Sequence, residues 1–357
     1  IIASGGVGAE VDVTLQGVKG YKNVAVGKGS FLSTDGDVTL EKSADFSNTF
    51  QQTSYTLTAY AGGSIYAGGD ITVSYSSFEG YGIGYGPGGA VAAAGDVTLN
   101  AGSVFTGNYS QGYGGAVSGA NVYVNAGSFT SNYAKRYGGA IYATNSVVVS
   151  GSAGIVSFTN SGTSSFSGRG GAIYADTVDF QSGSIEYSDQ VSGNSLTADL
   201  GGGIFGKTSV TISGGTFEGL EASTKGGAVY SDGSLTISGS PIFRDNQSSE
   251  AGAVYGGSTA TISGSPSFID NYASQYGGAI LAGTVDFQSG TIENVRGLTG
   301  PNPSGATKGG GIYATTALTI SGGLFKNLEA STDGGAVYVY GALTIENSPT
   351  FEDNYAS

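Results

Sequence analysis

The stretch that decides the fold is Gly138-Gly139-Ala140-Ile141-Tyr142. Variants of it recur from Gly62-Gly63 to Gly334-Gly335. The second small residue falls at 63, 89, 115, 139, 171, 203, 227, 252, 278, 311 and 335, in steps of 24 to 33 residues. A near-constant step of that size marks a solenoid, in which one turn cannot bury its apolar face without the next.

Working outward from each anchor, a short segment alternates apolar, polar, apolar. Examples are Ile71-Thr72-Val73, Val97-Thr98-Leu99, Val210-Thr211-Ile212 and Leu318-Thr319-Ile320. Period-2 alternation sends the flanking aliphatics to the core and the middle residue to solvent. A third element, Phe-x-x-Asn, follows a Gly-rich turn at Phe105-Asn108, Phe129-Asn132, Phe243-Asn246, Phe268-Asn271 and Phe351-Asn354. Phe is expected to stack inward. Asn is expected to take a left-handed corner and bond the backbone there.

These elements predict an all-β chain: a right-handed parallel β-helix with three short strands per turn and about 13 to 14 turns at ~4.8 Å each. The handedness follows the commoner form. One domain is expected over residues 1–357, less regular over 1–60 and regular over 61–357. A longer copy overlies the turns: Thr177 to Gly183 returns as Thr284 to Gly290, 107 residues on. The longer steps imply bulging loops at Tyr187 to Leu200 and Val295 to Thr307.

Composition narrows the function. Gly is 66 of 357 residues without a Gly-X-Y period, so collagen is excluded. Cys and His are absent. No disulfide framework, thiol nucleophile or imidazole base is therefore available, and no cofactor is expected. A net charge of −14 argues against nucleic acid as a partner. No apolar run reaches the ~18 residues of a membrane-spanning helix.

Few residues offer chemistry. Asp179 and Asp286 occupy equivalent positions four turns apart, about 19 Å by strand spacing, too far for a glycosidase pair. Asp245 and Asp270 fall on matching corners of adjacent turns, and a carboxylate pair or weak Ca²⁺ site there competes with two solvated corner residues. The glycines precede no helix or Walker lysine, so no nucleotide site is read. The Thr ladder Thr211, Thr236, Thr261 is a single row and is interrupted elsewhere, a poor match to an ice-binding array. The best candidate surface is a Tyr ladder at Tyr66, Tyr142, Tyr174, Tyr230, Tyr255, Tyr313 and Tyr338. If the anchor Ile or Val points inward, these point outward and offer large amphipathic contacts to a protein or glycan. A purely structural stack is the competing reading. Catalytic and metal sites are not expected, and the chain is read as non-enzymatic.

The interleaving of Gly-Gly-Ala-(Ile/Leu/Val) with Phe-x-x-Asn from about residue 60 onward resembles the chlamydial polymorphic outer-membrane proteins. It departs from their usual pattern in having no Cys. The resemblance implies an autotransporter passenger, a β-helix displayed outside the cell by a C-terminal barrel and acting as an adhesin toward a host or neighbouring-cell surface protein or glycan. Any such barrel would follow Ser357. Two alternatives stay open. One is a polysaccharide-active β-helix enzyme. The other is a fibre subunit stacking head to tail: Phe351 to Ser357 matches the block before Gly277-Gly278, and Gly5-Gly6-Val7 at the head supplies what would come next.

Overall fold

The computed structural model describes residues 2–3, 11–16, 19–21, 31–41, 45–47, 61–84, 86–159, 161–163, 168–187, 198–295 and 305–357. The protein is an all-β solenoid of parallel strands, about 11 turns in all, with no helix among the described residues. The sequence count of 13 to 14 included the stretch before Ala61, much of which lies outside the described residues. Gly5 to Val7 also lie outside them, as do most of the two long loops. The chain divides into two compact units, Ile1–Ser164 with Gly171–Asp176, and Ser165–Gly170 with Thr177–Ser357.

Among the described residues of the first unit the strands pair parallel, with one register shift, between Gly119 and Asn121 where Val117–Val124 meets Ile141–Val149. Ile65–Ala67 pairs with Val91–Ala93, which pairs with Val117–Val124, so that Ile65, Val91 and Val117 lie in one column. Ile71, Val97 and Val122 form a second column. All are buried, as the alternation requires. Phe78, Phe105, Phe129 and Phe158 make a third column, their rings stacked at 4.6 to 5.1 Å between centroids.

The second unit repeats this plan. Ile204, Val229, Val254 and Ile280 stack in one column, and Phe217, Phe243 and Phe268 in another. The anchor strand and the Val-Thr-Ile strand belong to one sheet. They run on without a break in Ile204–Ile212, Val254–Ile262 and Ile312–Ile320, and are separate strands in Val229–Ser231 and Ser234–Ile237.

A further strand follows the corner, after Asn at Tyr109–Ser110 and Tyr133–Ala134 in the first unit and at Gln247–Glu250 and Tyr272–Tyr276 in the second, and after Leu220, which stands in place of the Asn, at Ala222–Lys225. Its inward residues are small (Ser110, Ala134, Ala222, Ser248, Ala273) and buried. Without a bulky apolar residue they leave no alternation to read, which is why the sequence shows only a corner there.

Two corner assignments change. The left-handed residue is the one before Asn: φ is 54° at Ser131, 55° at Asp245 and 52° at Asp270 and Asp353. The Asn itself is buried and reaches back one turn. Asn132 Nδ2 donates to the Phe105 carbonyl at 2.9 Å, and Asn246 Nδ2 donates to that of Phe217 at 3.0 Å. The acceptor Oδ1 takes the Asn108 N–H at 3.0 Å in the first case and the Leu220 N–H at 3.0 Å in the second.

The anchor register also moves by one residue in the triple-Gly turns. The left-handed position, φ 60° at Gly138, is held by Gly201 and Gly309. Gly202 and Gly310 are thus the true partners of Gly139, and Gly203 and Gly311 take the place of Ala140. The two anchor glycines serve different ends. Gly138 supplies the left-handed angle, whereas a Cβ on Gly139 would collide with the carbonyl oxygens of Gly171 and Gly162.

Candidate functional site: an interlocked aromatic ladder

The register sets where each Tyr of the predicted ladder falls. In the first unit the column reads Tyr66, Ala92, Ser118, Tyr142, with Tyr174 stacked on Tyr142 at 5.4 Å. In the second it reads Phe205, Tyr230, Tyr255, Leu281, Tyr313, Tyr338. The column is therefore interrupted by small or aliphatic residues. Tyr174 and Tyr230 are only 9% and 8% exposed, and the other five are half-buried.

What covers five of them, Tyr142, Tyr174, Tyr255, Tyr313 and Tyr338, is a second column that the sequence reading missed: the residue just before the anchor. That residue in one turn lies over the anchor aromatic of the next. Tyr113 stacks on Tyr142 at 5.0 Å and Tyr137 on Tyr174 at 4.7 Å. Arg169 lies over Phe205 at 5.2 Å, Lys225 over Tyr255 at 4.7 Å and Lys308 over Tyr338 at 4.7 Å. Tyr276 packs on Tyr313 at 4.9 Å. One rule covers all six contacts. It also accounts for two of the gaps, because Tyr113 and Tyr276 stand in the turns whose own anchor residues are Ser118 and Leu281.

The cations are held from the other side as well. Lys225 Nζ meets Glu250 at 3.0 Å and Lys308 Nζ meets Asp333 at 2.9 Å, each carboxylate standing at the same position one turn on. Burial opposes the charge on Lys225, but the hydrogen bond and charge of Glu250 outweigh it and hold the ammonium above its usual range. Burial pushes the Tyr230 phenol up, and so does its hydrogen bond to Asp232 at 3.0 Å. Tyr142 is raised in the same direction, chiefly by burial.

This arrangement fixes what the ladder presents. Rings stacked along the column cover one another's faces, so edges and hydroxyls remain for a partner. A sugar could not lay its ring on an aromatic face here as it would on an isolated Tyr. A protein or the hydroxyls of a glycan could still bond the phenol row.

The carboxylates have other work. Asp179 and Asp286 each accept a hydrogen bond from their own Gln, Gln181 and Gln288, at 2.7 Å. Asp270 Oδ1 accepts the Val295 N–H at 2.8 Å from its left-handed corner, and Asp245 holds the matching corner one turn earlier. A column not singled out from sequence is Asp12, Asp37, Asp70, Asp96. Asp37 Oδ1 accepts the Asp70 N–H and Asp70 Oδ1 the Asp96 N–H, each at 2.7 Å. The signal was in the recurring Gly-Asp pairs Gly36-Asp37, Gly69-Asp70 and Gly95-Asp96, since the missing Cβ makes room for the neighbouring carboxylate. Among the described residues no group of three acidic, His or Cys side chains is placed to hold a metal ion.

Residues 127–144 match the Chlamydia polymorphic membrane protein repeat. That segment carries Phe129, Asn132, Tyr137, the anchor Gly138-Gly139 and Tyr142, and so holds both motifs and both ladder columns. No curated protein and no solved structure matches the chain.

Proposed function

We propose that this chain is the adhesive solenoid of a passenger displayed at a bacterial cell surface, in the manner of autotransporters, and that it acts without catalysis. The observation that carries this reading is the match at residues 127–144, because the same two-motif turn recurs through both units. A solenoid built from one repeated turn presents the same outer positions again and again, which suits many weak contacts to a cell-surface protein or glycan. The half-buried phenols of Tyr255, Tyr313 and Tyr338, all in the second unit, are the surface we assign to the partner.

Binding of the purified chain to arrays of glycans and cell-surface proteins tests this. Saturable binding is expected, and the variant carrying Tyr255→Phe, Tyr313→Phe and Tyr338→Phe should weaken it by roughly fivefold for each hydrogen bond lost, about 1 kcal/mol, while leaving the stacks in place. Sustained release of reducing ends from a polysaccharide panel would instead favour an enzyme.

A further inference from the structure

The chain has no Cys, Met, Trp or His, yet has 23 Tyr. The side chains that ordinarily take up oxidising equivalents are thus missing save one, and the usual covalent staple, a disulfide, cannot form. Four of these Tyr are gathered in one cluster of the first unit. Tyr113 lies 5.2 Å from Tyr137 and 5.0 Å from Tyr142, and Tyr174 lies 4.7 Å from Tyr137 and 5.4 Å from Tyr142, ring centre to ring centre. The planes of these four pairs depart from parallel by 11 to 27°. Every pair joins one turn to the next. Tyr113, Tyr137 and Tyr142 are partly open to solvent, so an oxidant can reach the cluster.

We propose that Tyr113, Tyr137, Tyr142 and Tyr174 form a site of oxidative cross-linking, in which peroxide acting through a haem peroxidase joins neighbouring turns by dityrosine. Each of two phenols gives one electron to the oxidant and one proton to solvent. The two phenoxyl radicals couple through carbons ortho to oxygen, and the hydrogens on those carbons shift to the oxygens to restore both rings. One hydrogen peroxide is reduced to two waters for each carbon–carbon bond made. Stacking brings two radicals together without diffusion, so the bond forms within one chain. The second unit is less suited. Lys225 and Lys308 lie over Tyr255 and Tyr338, and a positive charge on the ring face disfavours removal of an electron.

The test treats the purified chain with horseradish-type peroxidase and hydrogen peroxide, followed by dityrosine fluorescence and mass mapping of linked peptides. The expected products link Tyr113 to Tyr142 or Tyr137, or Tyr174 to Tyr137 or Tyr142, each with the loss of two hydrogens. Their yield should not depend on protein concentration. The double variant Tyr113→Phe with Tyr174→Phe keeps all four rings but removes a phenol from every pair, and should abolish these links. Tyr142→Phe removes two of the four pairs and should about halve them. An unchanged thermal unfolding curve shows that each variant keeps the stack. Links that instead fall on the exposed Tyr75, Tyr123 or Tyr340, or that form only between molecules, overturn the proposal, as does the absence of dityrosine.

Discussion

Ser131 and Ala251 hold left-handed angles, φ 54° and 60°, at positions where other turns carry residues better suited to them. Gly107 and Asp245 stand at the place of Ser131, and Gly138 and Gly226 at the place of Ala251. An L-residue with a Cβ is disfavoured there by about 1 kcal/mol or more. Ser131→Gly and Ala251→Gly should therefore each raise stability by about 0.5 kcal/mol after the entropy gained by the unfolded chain is subtracted. Urea unfolding midpoints measure this, and a lower midpoint in either variant would contradict the corner assignment. Asn132 is the opposite case. Asn132→Ala leaves the Phe105 carbonyl and the Asn108 N–H without the partners seen here, at about 1–3 kcal/mol for each buried group. The same denaturant series should show that loss. Its location was legible in Phe-x-x-Asn, but its reach was not. Nothing in a tetrapeptide says that the amide bonds the turn behind it.

At the scale of the strand, the Phe column shows how two elements share one position. In two turns of the second unit the Phe strand carries Ile185 or Ile292 instead, and Phe comes from the strand before, as Phe180 and Phe287. These rings meet Phe217 and Phe325 at 4.9 and 5.0 Å but tilted by 54° and 52°. A Cβ on Gly215 or Gly323 would come within 2.6 Å of the displaced ring, so both sites are Gly. Phe180→Ile alone opens a cavity and Ile185→Phe alone overpacks, each costing about 1–3 kcal/mol. The double variant reproduces the pairing of Ile212 with Phe217 and should return to within about 1 kcal/mol of the parent. Thermal unfolding of the four proteins gives the coupling; additive losses would mean that the two strands do not fill a common space. The sequence displays the duplicated segment plainly. That its Phe substitutes for the missing one depends on two strands bending toward the same point, and alternation within each strand carries no trace of that.

For the whole molecule, the absence of His leaves no side chain whose ordinary titration falls between pH 6 and pH 8. Stability should be flat over that range and fall in alkali. The Tyr230 phenol is held above its usual value by burial and by Asp232, so above pH ~10 the unfolded chain loses that proton first. Lys225, also raised, acts in the same sense: its contribution is complete below the unfolded value and lost as pH passes the folded one. Melting temperatures from pH 6 to pH 11 should show a plateau followed by a decline, and Tyr230→Phe should soften the decline. A melting temperature that rises above pH 10 would contradict this. The parallel solenoid and its aliphatic and Phe columns were legible because one residue type repeats at one step. The ladder was half legible. Its Tyr column shares the anchor's period, whereas the covering residues vary among Tyr, Arg and Lys and act on the following turn, so no single motif contains the contact.

That forward reach bears on how such a chain lengthens. A turn inserted alone would meet strangers on both sides, its predecessor's ring or cation facing an unmatched residue and its own reaching over another. Copying a run of consecutive turns preserves every joint inside the run and leaves only the two at its borders to be settled. The segment from Thr177 and its echo at Thr284, several turns apart, is what growth by whole runs would leave behind.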